Sequence, residues 1–168
     1  VAPRYPGVPL VALSDSAGGY QGNLAGLFGS WGTAGTVSRR VPGLQGQSAA
    51  DLSFETITHA TAAANPSARF AAFNSTADDI QPFYLGLMGT DPARYEGVLL
   101  ENLLSVHTVT PNFRSFTSRD NFHCITPRPA FYDLSVNGTR VRDWVDALAN
   151  GDLLLQVAVG PREVPVRR

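Results

Sequence analysis

Arg69-Phe70-Ala71-Ala72-Phe73-Asn74-Ser75-Thr76 passes from an apolar run into a polar turn, and Ala77 to Met88 continues it at helical spacing. A short apolar run closed by turn residues reads as a strand buried on both faces. Ser75 or Thr76 is placed to cap the helix, and Gly89 to end it. The same pattern recurs on both sides. Upstream, Val8-Pro9-Leu10-Val11-Ala12-Leu13 is an apolar run ended by Ser14-Asp15-Ser16-Ala17-Gly18-Gly19, a second strand and sharp turn. Between the two strands, Leu24, Leu27, Phe28 and Trp31 predict a helix over Gln21 to Trp31. A Gly-rich loop through Gly46 follows. Ile57, Ala60 and Ala64 then predict a helix over Ala49 to Ala64, stopped by Asn65-Pro66.

Downstream, Asp91-Pro92 opens a helix with proline in its first turn. Its stripe of Tyr95, Val98, Leu99, Leu103 and Val106 marks one buried face, and Pro111 closes it. Asn112 to Ser118 reads as a third strand, with Phe113 and Phe116 out of strict alternation. The loop Asp120 to Pro127 comes next, and Thr139 is placed to cap a last helix, Arg140 to Ala149, ended by Asn150-Gly151. Strands separated by helices require crossover connections, so the expected class is α/β with a parallel sheet in one domain over 1–168. Three strands make a thin sheet for this class. Either the chain is part of a larger fold, or a further strand lies in Leu153 to Val159.

Composition narrows the chemistry. The 168 residues carry 13 basic and 14 acidic groups, a formal net charge of −1, and every basic residue is arginine. That balance argues against a nucleic-acid partner held by bulk charge. The lack of lysine excludes Schiff-base and P-loop lysine chemistry. One cysteine permits no internal disulfide and no cysteine cluster for zinc, and three histidines leave little for a histidine metal site. No apolar run approaches the ~18 residues a membrane-spanning helix needs. The opening Val1-Ala2-Pro3 has no initiator Met, so a processed or truncated piece is expected.

In a parallel α/β sheet, function gathers in loops at the carboxyl ends of the strands. Those loops hold Ser16, then Asn74, Asp78 and Asp79, then His123. This is the chain order Ser, acid, His of α/β-hydrolases. Ser14-Asp15-Ser16-Ala17-Gly18 approximates G-x-S-x-G, making Ser16 a candidate nucleophile; otherwise Ser16 caps the following helix and Asp15 bonds turn amides. His123 is the candidate base. His59 and His107 fall inside helices and read as packing or surface groups. Asp78 and Asp79 read either as the acid or as first-turn carboxylates complementing a helix dipole. Cys124, beside His123, points elsewhere than its neighbour and is a poor nucleophile candidate. Arg39-Arg40 and Arg167-Arg168 read as solvated pairs. Asn74-Ser75-Thr76 and Asn137-Gly138-Thr139 fit the N-glycosylation pattern.

Several segments together resemble the pectinacetylesterase and Notum family of carboxylester hydrolases, above all its bacterial branch. They are Leu13 to Tyr20; Arg69 to Phe73 with Ala77-Asp78-Asp79-Ile80-Gln81; Phe83-Tyr84 with Leu87-Met88-Gly89; and His123-Cys124-Ile125 with Pro127-Arg128-Pro129, Phe131-Tyr132, Gly138, Arg140, Asp143-Trp144-Val145 and Leu148. The resemblance spans roughly 1–160. It implies an α/β-hydrolase fold with a Ser-Asp-His triad acting on a small acyl ester or an acetylated glycan, without a cofactor, in a family whose members are commonly exported. It also implies that Asp15-Ser16-Ala17-Gly18 matches a turn one strand after the nucleophile elbow. The serine would then lie upstream of Val1, and this chain would be the C-terminal part of the fold. His123 matches the catalytic histidine. Asp78 is the preferred acid and Asp79 the second choice. Asn74 stands directly after the strand, where the wider family tends to have Asp, which leaves a non-catalytic binding module as the rival reading. A complete small esterase using Ser16, Asp78 and His123 is the third.

Overall fold

The computed structural model describes residues 7–18 and 24–159. Its centre is a parallel sheet in the order β1-β2-β3, with β1 at Val11–Asp15, β2 at Arg69–Ser75 and β3 at Phe113–Ser118. Register pairs Asp15 with Phe73, and Phe73 with Phe116, so the three carboxyl ends lie side by side. The stretch Leu153 to Val159 does add to the sheet: Val157 forms a parallel bridge to Phe116 beside β3. The mixed α/β class is as expected, with helices in both crossovers.

The two faces of β2 explain its lack of alternation. Phe70 and Ala72 face one cluster, with Leu85, Tyr95, Val98, Leu99, Leu103, Val106 and Phe113. Ala71 and Phe73 face another, with Phe116, Ile125, Val141, Trp144, Leu148 and Val157. A strand covered on both sides has no polar face to alternate. Phe113 and Phe116 break strict alternation for the same reason, since they serve opposite faces. Phe116 stacks on Phe73 at 5.8 Å and meets Trp144 edge-on at 5.6 Å.

The helices are α1 (Ala25–Ser30), α2 (Thr33–Arg40), α3 (Phe54–Ala63), α4 (Gln81–Leu87), α5 (Tyr95–Val109), α6 (Ala130–Asp133) and α7 (Val141–Asn150). The expected stripe of α5 is buried as its spacing requires, with Asn102 added to it and bonded to Glu55. Several boundaries differ from the sequence reading. The Gly-rich stretch before Gly46 contains α2, whose last turn carries Arg39 and Arg40, where cations suit the dipole. The helix expected over Ala49 to Ala64 is broken: a 3-10 turn at Ala49–Asp51 precedes Leu52, and Ser53 caps α3 through a reciprocal pair with Thr56. Of the helix expected from Gln21, residues 21–23 lie outside the described residues. β1 starts at Val11 rather than Val8. Thr139 does not cap α7; it pairs with Val136 across a two-stranded hairpin, β4 (Ser135–Val136) and β5 (Thr139–Arg140). Asn137 and Gly138 turn that hairpin at φ 51° and 80°, as Asn-Gly turns do.

β1 is the least covered strand. Among the described residues it pairs only with β2, and Val11 is 43% exposed. A cavity of about 200 Å³ opens beneath it, between the sheet and α3 and α5, lined by Ala12, Ser14, Ala17, Phe54 and Glu55 among others.

Candidate active site

The loops at the carboxyl ends of the strands converge. α4 begins at Gln81, four residues later than its sequence pattern allows, because Asp78 builds a turn ahead of it. Asp78 Oδ1 accepts from the Ile80 amide at 2.8 Å and the Gln81 amide at 2.9 Å. Carboxylates bond amides two and three residues on in this way, and hold the helix out of the intervening segment.

The second oxygen of Asp78 meets His123, with Oδ2 at 3.1 Å from Nδ1. The Asp78 side chain is fully buried and that of His123 is 33% exposed. Against a carboxylate, which only accepts, Nδ1 carries the proton and Nε2 the lone pair. Nε2 has no protein partner among the described residues. The arrangement is an imidazole oriented by a buried carboxylate, with no partner for its other nitrogen among the described residues.

The other sequence candidates fall as follows. Asp79 is exposed, and its carboxylate accepts from Asn121 Nδ2 at 2.9 Å in the loop that leads to His123, rather than from His123 itself. Asn74 is fully buried at the end of β2, and its Oδ1 accepts from the Gly18 amide at 3.1 Å. A Cβ on Gly18 would stand 3.1 Å from that oxygen, a contact that the Asn74 side chain would have to yield by a few tenths of an ångström to admit. The glycosylation pattern at Asn74 is thereby closed to modification in the folded chain. Ser16 is 2% exposed at φ 58°, and its Oγ accepts from the Cys124 amide at 2.9 Å. It does not cap α1, whose first residue follows Leu24. Among the described residues, the amides Asp15 bonds lie in the loop after His123. The Asp15 oxygens accept from Ile125 N and Thr126 N at 2.9 Å each and from Thr126 Oγ1 at 2.6 Å. His59 bonds Thr110 and His107 lies near the Phe113 carbonyl, both remote from His123 in the fold.

Cys124 sits at φ 59° with Sγ at 3.6 Å from the Asp15 carbonyl. Burial pushes its thiol above the ordinary value of 9.0, the Asp15 and Asp78 carboxylates push it further, and Arg128 opposes them. A thiol held protonated is a weak nucleophile.

Sequence reading missed two contributors. Gln81 donates its side-chain amide to the Ser16 carbonyl. Asp15 holds a loop more than a hundred residues away, and nothing local to Asp15 signals that. Among the described residues no group of three or more His, Cys, Asp or Glu could hold a metal ion, and no helix is long and apolar enough to cross a membrane. Comparison of the chain with protein-family models, curated proteins and solved structures gave no match.

Proposed function

We propose that this chain supplies the base and the acid of a serine-type carboxylic ester hydrolase with an α/β-hydrolase-like architecture. The observation that carries the reading is the His123–Asp78 pair at the carboxyl ends of the strands, with Asp78 buried and its second oxygen engaged by two amides. In the reaction, His123 Nε2 takes the proton of a serine hydroxyl as its oxygen attacks the ester carbonyl. The proton passes to the departing alcohol, leaving an acyl-serine. Water then attacks that ester as Nε2 takes its proton, and the imidazolium returns the proton to the departing serine oxygen as the acid is released. Asp78 keeps Nδ1 protonated and stabilises the imidazolium that forms.

The serine is not Ser16 in this reading, because the Ser16 hydroxyl is buried and turned to the Cys124 amide. The reading places the nucleophile on a strand beside β1, which among the described residues pairs only with β2. Unpaired edges of parallel sheets are normally covered, which supports that placement. The resemblance to pectinacetylesterases supports a short acyl ester, such as an acetylated glycan, as substrate. Asp78 rather than Asn74 meets His123, which supports the catalytic reading over the binding-module one.

The test is p-nitrophenyl acetate turnover by a polypeptide that also includes the residues its coding sequence places before Val1. The expected result is turnover that His123→Gln abolishes and Ser16→Ala preserves in part. Turnover insensitive to His123→Gln, or activity of 1–168 alone that Ser16→Ala removes, overturns the reading.

A further inference from the structure

We propose that Ser16, Asp15 and Gln81 are positioning residues for the base: Gln81 and Ser16 close a hydrogen-bonded circuit that fixes His123 against Asp78, and Asp15 braces the loop beside it. The catalytic meaning of this circuit rests on the hydrolase reading, but its geometry does not. Starting at the acid, Asp78 Oδ1 accepts from the Gln81 amide at 2.9 Å. The Gln81 side chain donates to the Ser16 carbonyl. Ser16 Oγ accepts from the Cys124 amide at 2.9 Å, and Cys124 adjoins His123, whose Nδ1 closes on Asp78 Oδ2 at 3.1 Å. One residue, Ser16, therefore ties the acid's helix to the base's loop.

Two positions on the circuit, Ser16 and Cys124, hold positive φ without being glycine, at 58° and 59°. Such conformations persist only where surrounding bonds over-determine them. The bonds that do so here are those of Asp15 to Ile125 and Thr126, immediately after Cys124, and the Ser16 amide bond to the Phe73 carbonyl at 2.8 Å. Asp15 and Ser16 thus hold the loop just beyond His123 from both sides of its strained residue. A base must be held within about 0.5 Å of its productive place, and loops achieve this only with such supports. The clamp also sits at the end of β1, which among the described residues pairs only with β2. The position of the base is therefore tied to how β1 is seated.

The experiment uses the 168-residue chain labelled with ¹⁵N-histidine, in which only three histidines contribute. The Nδ1 proton of His123, bonded to Asp78, gives a downfield, slowly exchanging resonance, assigned by its loss in His123→Gln. Ser16→Gly is the decisive variant, because glycine takes φ 58° without strain and so keeps the fold while removing the hydroxyl. Asp15→Asn is the second, with thermal melting followed for both. The expected result is a folded protein in Ser16→Gly, its melting temperature lowered only modestly by the loss of the Cys124 amide's acceptor, and the His123 resonance lost in both variants. A resonance retained at its wild-type shift in both variants overturns the positioning role and leaves the hydrolase reading standing. A wild type with no such resonance overturns the circuit and the acid–base pair together.

Discussion

Asp78 serves two structures at once, and two substitutions separate them. Its Oδ1 holds the turn into α4 through the Ile80 and Gln81 amides, while Oδ2 orients His123. Asp78→Ala removes both functions. The Gln81 amide is buried and the Ile80 amide partly so. A fully buried donor left without an acceptor costs about 1–3 kcal/mol and a partly exposed one less, so the pair costs about 2–4 kcal/mol. For a chain of this size that lowers Tm by roughly 5–15 °C. Asp78→Asn keeps an oxygen for the two amides, so its cost is about 1 kcal/mol or less. Its new NH₂ faces Nδ1, which must then accept, and the ring proton moves to Nε2. The base loses its lone pair, and in Ser-His-Asp hydrolases this change lowers turnover about 10⁴-fold. Circular dichroism melting of the three proteins measures the first effect, and p-nitrophenyl acetate turnover of the upstream-extended polypeptide the second. Equal melting temperatures for Asp78→Ala and Asp78→Asn would refute the division of labour, as would full turnover in Asp78→Asn.

Further expectations follow from the same contacts. Cys124, its thiol raised by burial and by the carboxylates of Asp15 and Asp78, reacts with iodoacetamide at pH 8 more slowly than a free thiol, and Asp15→Asn speeds it. The sign for stability is negative with rising pH: above the unfolded thiol's value the unfolded chain releases a proton that the folded chain retains, so melting temperature falls there and a Cys124→Ser variant loses that decline. Gly18→Ala drives a Cβ against Asn74 Oδ1 and lowers stability by about 1–3 kcal/mol, with Asn74→Ala relieving part of the loss in the double variant, as chemical denaturation shows. Asp79→Ala, at an exposed side chain bonded to Asn121 rather than to His123, changes stability by about 0.5 kcal/mol or less and leaves most turnover intact. The open edge of β1, with Val11 exposed, makes the 168-residue chain associate as concentration rises, and Val11→Lys reduces that association in sedimentation velocity.

Much of the scaffold is legible from local pattern. The buried stripe of α5 and the two-faced burial of β2 follow directly from which residues are apolar and at what spacing. Local pattern fails where a side chain overrides propensity. Asp78 captures the amides that would otherwise open a longer helix, and Ser53 with Thr56 restarts one after Leu52. The hairpin at Asn137-Gly138 had a signal, its Asn-Gly turn, which reading Thr139 as a helix cap concealed. At the site, strand ends and chain order select Asp78 and His123 as candidates. Their contact spans 45 residues and depends on β2 and β3 lying side by side, which only the sheet register supplies. The role of Ser16 is less legible still. Its sequence neighbourhood mimics a nucleophile turn, whereas its hydroxyl is committed to an amide 108 residues away.

The central claim is that His123 and Asp78 activate a serine other than Ser16. Fluorophosphonate labelling of the upstream-extended polypeptide, mapped by peptide mass spectrometry, tests it most directly. The account predicts one labelled serine, outside residues 1–168, with labelling lost in His123→Gln and no label on Ser16. A label on Ser16, or labelling indifferent to His123→Gln, would contradict it.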